Sequence, residues 1–176
     1  MLMLKKRRQT SSLILAWLWL ALPAWSAEAF NADDVQVVRS VLERQNTLLH
    51  LNQLVAARLE SESVKQIVDS GSKLLMQQHA QLLAVAKQAG MTGIENLSAP
   101  PYFERVTTQW QSLTGVALTR QYLLVALQCQ AFIGRSLSAE LRSGDSAAVQ
   151  AWIKDNIDAL DAATRELDHA LYDLRD

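Results

Sequence analysis

One pattern in this chain matches a recipe for chemistry: Glu166-Leu167-Asp168-His169. A Glu-x-x-His spacing sets a carboxylate and an imidazole on adjacent turns of a helix. Two copies, with a Glu from each of two further helices, converge on a pair of cations in a bundle core. The chain has one copy only. At about 100° per residue, Glu166 falls on the margin of its helix's apolar stripe and His169 outside it, so the pair is expected to face solvent.

The remaining candidates are isolated side chains. His79 projects to the edge of its stripe beside Leu75 and Leu83, as a boundary residue, and one imidazole without partner carboxylates does not hold a metal. His50 projects to the surface. Cys129, the single cysteine, cannot form an internal disulfide, has no base placed beside it by sequence, and is expected as a buried structural thiol. Glu140 projects inward near its helix end, where water is expected to reach it. Gln45, Asn52, Gln78 and Asn156 project inward and are neutral; they are expected to form a hydrogen-bonded amide layer that sets helix register and binds no metal. Tyr122 is expected to anchor its helix in the core, with its hydroxyl on one of these amides. Met76 points away from its stripe, and the chain has no Gly-x-Ser-x-Gly, glycine-rich phosphate loop, Cys-x-x-Cys or Cys-x-x-Cys-His. No cofactor is expected.

These residues need helices to position them, and every long segment after residue 30 has helical period. Asn31 caps a first helix running to about residue 60, with Asp33 and Asp34 in its first turn and Phe30 and Val35 at staple positions. A tight reversal follows, with Ser63 and Gln66 at capping-box spacing, and the second helix ends at Gly90. After the loop 91–101 comes a short helix through Glu104, Val106 and Trp110. A third long helix spans about Val116 to Ser143, and a fourth is capped by Asp145 or Ser146. The pattern predicts an all-α fold: an antiparallel four-helix bundle, ferritin-like, with a short extra helix between the second and third long helices.

Residues 1–29 read as a secretory signal peptide. Lys5, Lys6, Arg7 and Arg8 precede the apolar run Leu13 to Trp25, and small-x-small sites permit cleavage before Ala27 or before Phe30. The run is shorter than the roughly 18 to 20 residues that span a bilayer. Removing this leader takes four basic residues and one acidic one from totals of 17 and 18, leaving 13 Lys plus Arg against 17 Asp plus Glu and a net charge of about −4. That charge disfavours nucleic acid and anionic membrane as partners. Residues 30–176 suit one domain, expected in the periplasm without stable membrane insertion.

Two stretches resemble a known family. SVKQIVDSGSKLLMQQHAQLLAVAKQAGM, residues 63 to 91, is similar to a pattern of Val-Lys, an Asp-His pair, a Leu-rich turn and a closing Gly. LTGVALTRQYLLVALQCQ and the later SGDSAAVQAWIKDNIDAL are similar to its Leu-x-Gly, Phe-Asp-x-x-Tyr, x-His and Leu-Pro-x-Leu pattern. The family is the exported, ferritin-like bundles of domain of unknown function family 4142, of which this chain resembles a divergent member. Carried over, the family's Asp-His falls on Leu74 and Leu75, its Phe-Asp on Leu118 and Thr119, its later histidines on Gln130 and Ala163, and its first-helix acid near Leu48. Tyr122 matches. His79 lies four residues beyond the family's histidine, so the resemblance implies fold and compartment and weakens a metal centre. The expected function is that of an exported non-catalytic bundle acting through a protein partner or self-association, in envelope maintenance or stress tolerance. The alternative is a periplasmic bundle binding a metal or small ligand through His79, Cys129 or Glu140.

Overall fold

The computed structural model describes residues 29–174 except 96 and 98. The expected signal peptide, apart from Ala29, lies outside the described residues. Within them the protein is all-helical: α1 (Ala32–Ala56), α2 (Glu62–Gln88), α3 (Pro101–Trp110), α4 (Gly115–Ser143) and α5 (Ala147–Asp173). Each boundary has a local cause. Asn31 Oδ1 accepts from the backbone N–H groups of Asp33 and Asp34, both at 2.8 Å, and Asp34 returns the contact by accepting the Asn31 N–H. The second helix starts two residues before the expected site: Ser61, not Ser63, caps it through the Val64 N–H, and the Ser63 hydroxyl meets Ser61 Oγ instead. Gly90, with φ of 83°, ends α2. Its N–H reaches the Lys87 carbonyl while the N–H of Met91 reaches Ala86, the paired bonds of a Schellman cap. Pro101 opens α3, where its missing N–H costs nothing. Ser146 rather than Asp145 caps α5.

The first helix is shorter than its periodicity suggests. It stops at Ala56, and Leu59 still reaches the core from the turn beyond. Arg58, freed from the helix, donates to the carbonyls of Trp110 and Leu113 at 2.7 and 2.8 Å where α3 ends, the Trp110 carbonyl also accepting the Leu113 N–H.

The four long helices touch in a closed cycle: α1 with α2 and α4, and α5 with α2 and α4. Between α1 and α4 the contacts occur in reverse order along the two segments. Asp34 faces Glu140, the Arg44 guanidinium lies over the Phe132 ring, Asn52 bonds Tyr122, and the Glu60 carboxylate lies by Gly115. Val41, Leu42, Leu51, Leu118, Leu123, Ile133 and Ile153 are fully buried in the core these contacts enclose. Helix α4 is long and apolar enough to cross a membrane; its Leu118, Leu123, Ile133 and Leu137 are buried here, while Val116 is exposed.

Two glycines separate backbone from packing effects, since a Cβ at Gly71 or Gly90 meets nothing within 4 Å. Gly71→Ala, inside α2, should raise unfolding free energy by about 0.5–1 kcal/mol. Gly90→Ala, forced into left-handed backbone, should lower it by about 1–2 kcal/mol. Urea denaturation of both variants checks the opposite signs.

Candidate functional site

Helices α2 and α5 face one another with small side chains. Ser70 and Gly71 come from α2, and Ala159, Ala162 and Ala163 from α5; these cannot fill the seam, and a cleft of about 330 Å³ opens there. That volume lies at the small end of the roughly 300–1,000 Å³ typical of ligand sites. Exposed Ser70 and Glu166 stand at its mouth, while buried Asn52, Leu75, Tyr122, Ala126 and Gln130 form its floor. Tyr122, Ala126 and Gln130 are spaced four apart on α4, so one face of that helix supplies much of the floor.

A line of hydrogen bonds runs behind the floor. The Tyr122 hydroxyl donates to Asn52 Oδ1 at 3.0 Å, the Asn52 amide donates to Ser72 Oγ at 2.9 Å, and the Ser72 hydroxyl donates to the Val68 carbonyl at 2.6 Å. Burial pushes the Tyr122 phenol well above its ordinary pKa, so it stays protonated and keeps its donor. The expected contact between Tyr122 and an inward amide is therefore present. Gln130 Oε1 is buried and has no hydrogen-bond partner.

The four inward amides are all buried, yet they do not form one bonded layer. Gln45 and Gln78 are fully buried with no partner for either amide atom, and Asn156 turns its amide onto the Trp152 carbonyl of its own helix at 2.8 Å. Geometry explains the difference. Gln45 and Asn52 are two turns apart, about 10.5 Å along the axis, too far to share a layer, and the short Asn156 side chain reaches its own preceding turn.

His79 is half-buried at the flank, its Nδ1 without a partner and its pKa lowered by burial, so the ring is held towards neutrality. His50 is exposed, with Nδ1 3.2 Å from the Asn46 carbonyl. Cys129 is buried; burial pushes its thiol pKa up, and nearby Arg44 partly opposes that. Arg44, which sequence reasoning missed, lies against the Tyr102 and Phe132 rings and donates to the Tyr102 hydroxyl, joining α3 to α1 and α4.

Glu140 departs from expectation. It is 3% exposed, because the chain after α4 folds over it: a Cβ on Gly144 would fall on its carboxylate. Burial, then the hydrogen bond and charge of Asp34, then the charges of Asp145 and Asp33, push its carboxyl up to about 7. Glu166 and His169 are exposed as expected, but Glu166 stands at the cleft mouth and His169 lines a second hollow farther along the same seam. Among the described residues no three His, Cys, Asp or Glu side chains group to hold a metal. The cleft itself, with Ser72, was missed; its signals in the sequence were the small residues facing Gly71 and the positions, Gln130 among them, picked out by the resemblance. No family model, curated protein or solved structure matches the chain.

Two outcomes test this geometry. Tyr122→Phe strips Asn52 Oδ1 of its donor and should cost about 1–3 kcal/mol, against about 3–5 kcal/mol for Tyr122→Ala. Glu140 binds its proton more tightly folded than unfolded, from 4.5 to about 7. Its stabilising contribution is therefore full below about pH 4.5 and lost as pH rises through about 7. Unfolding free energy should fall over that window. Glu140→Gln should flatten the dependence and be more stable at pH 8 by an amount on the order of 1 kcal/mol.

Proposed function

We propose that the protein is an exported, non-catalytic bundle of antiparallel, ferritin-like arrangement that binds a small molecule in the cleft between α2 and α5. The arrangement is supported by the reversed order of α1 and α4 contacts and by connections of a few residues between α1 and α2 and between α4 and α5. One observation carries the binding reading: an open cleft whose floor contains Gln130, a buried polar side chain with an unsatisfied carbonyl oxygen. The resemblance drawn from the sequence supports the same place. Leu48, Leu74, Leu75, Tyr122, Gln130 and Ala163, on which family positions fall, line this cleft, whereas Leu118 and Thr119, where its Phe-Asp falls, do not. Apolar or neutral residues stand at these positions, which favours an organic ligand over a cation held by carboxylates and imidazoles.

The polar groups of the floor are amides and a phenol held neutral, which suit recognition better than proton transfer near neutral pH. Action through protein contact has less support: the exposed large apolar side chains, Met76, Val116 and Tyr172, sit on three different helices among the described residues. Export to the periplasm through a cleaved leader rests on the sequence pattern of residues 1–29.

Two measurements test the proposal. N-terminal sequencing of protein from the periplasm should begin at Phe30 or Ala27, and a chain that still starts at Met1 and stays with washed membranes would remove the export reading. In amide NMR spectra, 4-ethylphenol should give saturable shifts along α2 and α5 that disappear in Ala163→Phe, which fills the cleft. Shifts that never saturate, or that survive in Ala163→Phe, would remove the binding reading.

A further inference from the structure

Resting on that binding reading, we propose that the cleft takes a small amphipathic amine: an ammonium at the mouth, an apolar middle, and a hydroxyl at the inner end. The hydroxyls that line the cleft are committed elsewhere, Tyr122 to Asn52 Oδ1 at 3.0 Å and Ser70 to the Ile67 carbonyl at 3.2 Å. One Asn52 amide N–H is committed to Ser72. What remains is capacity of both signs, since the second Asn52 amide N–H and the Gln130 amide N–H groups have no side-chain or backbone acceptor among the described residues. The Tyr122 oxygen keeps lone pairs, and Gln130, only 6% exposed, has its Oε1 unpartnered. A ligand hydroxyl, which both donates and accepts, matches a floor of this kind.

The mouth adds a sign. The Glu166 carboxylate is exposed there and has no ion-pair partner among the described residues, where the pairs are Lys65 with Glu62 and Lys87 with Glu95. Asp173 adds a second carboxylate along the adjoining hollow, which Glu166 also lines. An ammonium held at the mouth keeps much of its hydration while gaining this attraction, so the full cost of burying a charge is avoided. A carboxylate there would be repelled. Between the two ends, Leu48, Leu74, Leu75, Ala126 and Leu167 give apolar walls suited to a ring or short alkyl chain.

Calorimetric titration with four molecules of one shape separates the parts. Tyramine carries both the ammonium and the inner hydroxyl, phenethylamine lacks the hydroxyl, 2-(4-hydroxyphenyl)ethanol lacks the charge, and 3-(4-hydroxyphenyl)propionate reverses it. Tyramine should bind about fivefold or more tightly than either phenethylamine or the alcohol, and the propionate weakest. Glu166→Gln, an exposed change that leaves folding intact, should erase the preference for tyramine over the alcohol. Gln130→Leu should erase its preference over phenethylamine. Should the alcohol and phenethylamine equal tyramine, the amine assignment falls while binding in the cleft stands. If none of the four binds, both fall.

Discussion

A phenol taken out of water must find a partner, and the burial of Tyr122 imposes that constraint on three helices at once. Its hydroxyl fixes α4 against Asn52 of α1, and Asn52 spends its amide on Ser72 of α2. The Ser72 hydroxyl then closes the line on a carbonyl one turn back in its own helix. A one-residue slip of any helix rotates its side chains by about 100° and breaks the line, so these bonds set register more than they add stability. That register also brings Ala126 and Gln130 of α4 against the small residues of α2 and α5.

The end of the assembly is fixed by polar contacts of a different kind. Asn31 caps α1 and also donates to the Asp145 carboxylate at 3.0 Å, tying the start of the first helix to the turn before α5. The same corner brings Asp33, Asp34 and Asp145 around Glu140, and their charges, with burial, hold its proton to near-neutral pH. With Glu140 holding its proton, the two buried carboxyl groups can lie together, whereas two full charges would repel. At the opposite end of α1, Arg58 supplies a positive charge to the carbonyls where α3 ends. Connections that look like plain turns in sequence are held by these long-range contacts.

Helix number, the short α3, the Asn31 cap and the Gly90 stop were all legible in the sequence, because period and capping chemistry are local. The inward turn of Gln45, Asn52, Gln78 and Asn156 was legible for the same reason. Their partners were not. Whether an inward amide meets a phenol, a serine or nothing depends on the axial height of a neighbouring helix, which one helix's periodicity does not contain. Glu140 shows the same limit: its position on the inner face is periodic, but the approach of Asp33 and Asp34 from α1 is tertiary. The cleft is a fact about volume. Gly71, Ala159, Ala162 and Ala163 each suit a helix, and only their meeting across one seam leaves space.

That space bears on what the fold is for. Filling a seam between helices takes only larger apolar side chains, and each buried methylene contributes about 0.8 kcal/mol. A seam of alanines forgoes this gain. Gln130 adds to the cost, since a buried amide oxygen without a donor is destabilising by about 1–3 kcal/mol. Gln45 and Gln78 carry the same deficit outside the cleft, so an unpartnered amide alone does not mark a site. Gln130 differs because its side chain lines open volume that also reaches an exposed carboxylate. An occupant that hydrogen-bonds the Gln130 amide and covers the alanines would offset both costs together, and no substitution within the α2 and α5 seam does so while leaving the cleft open.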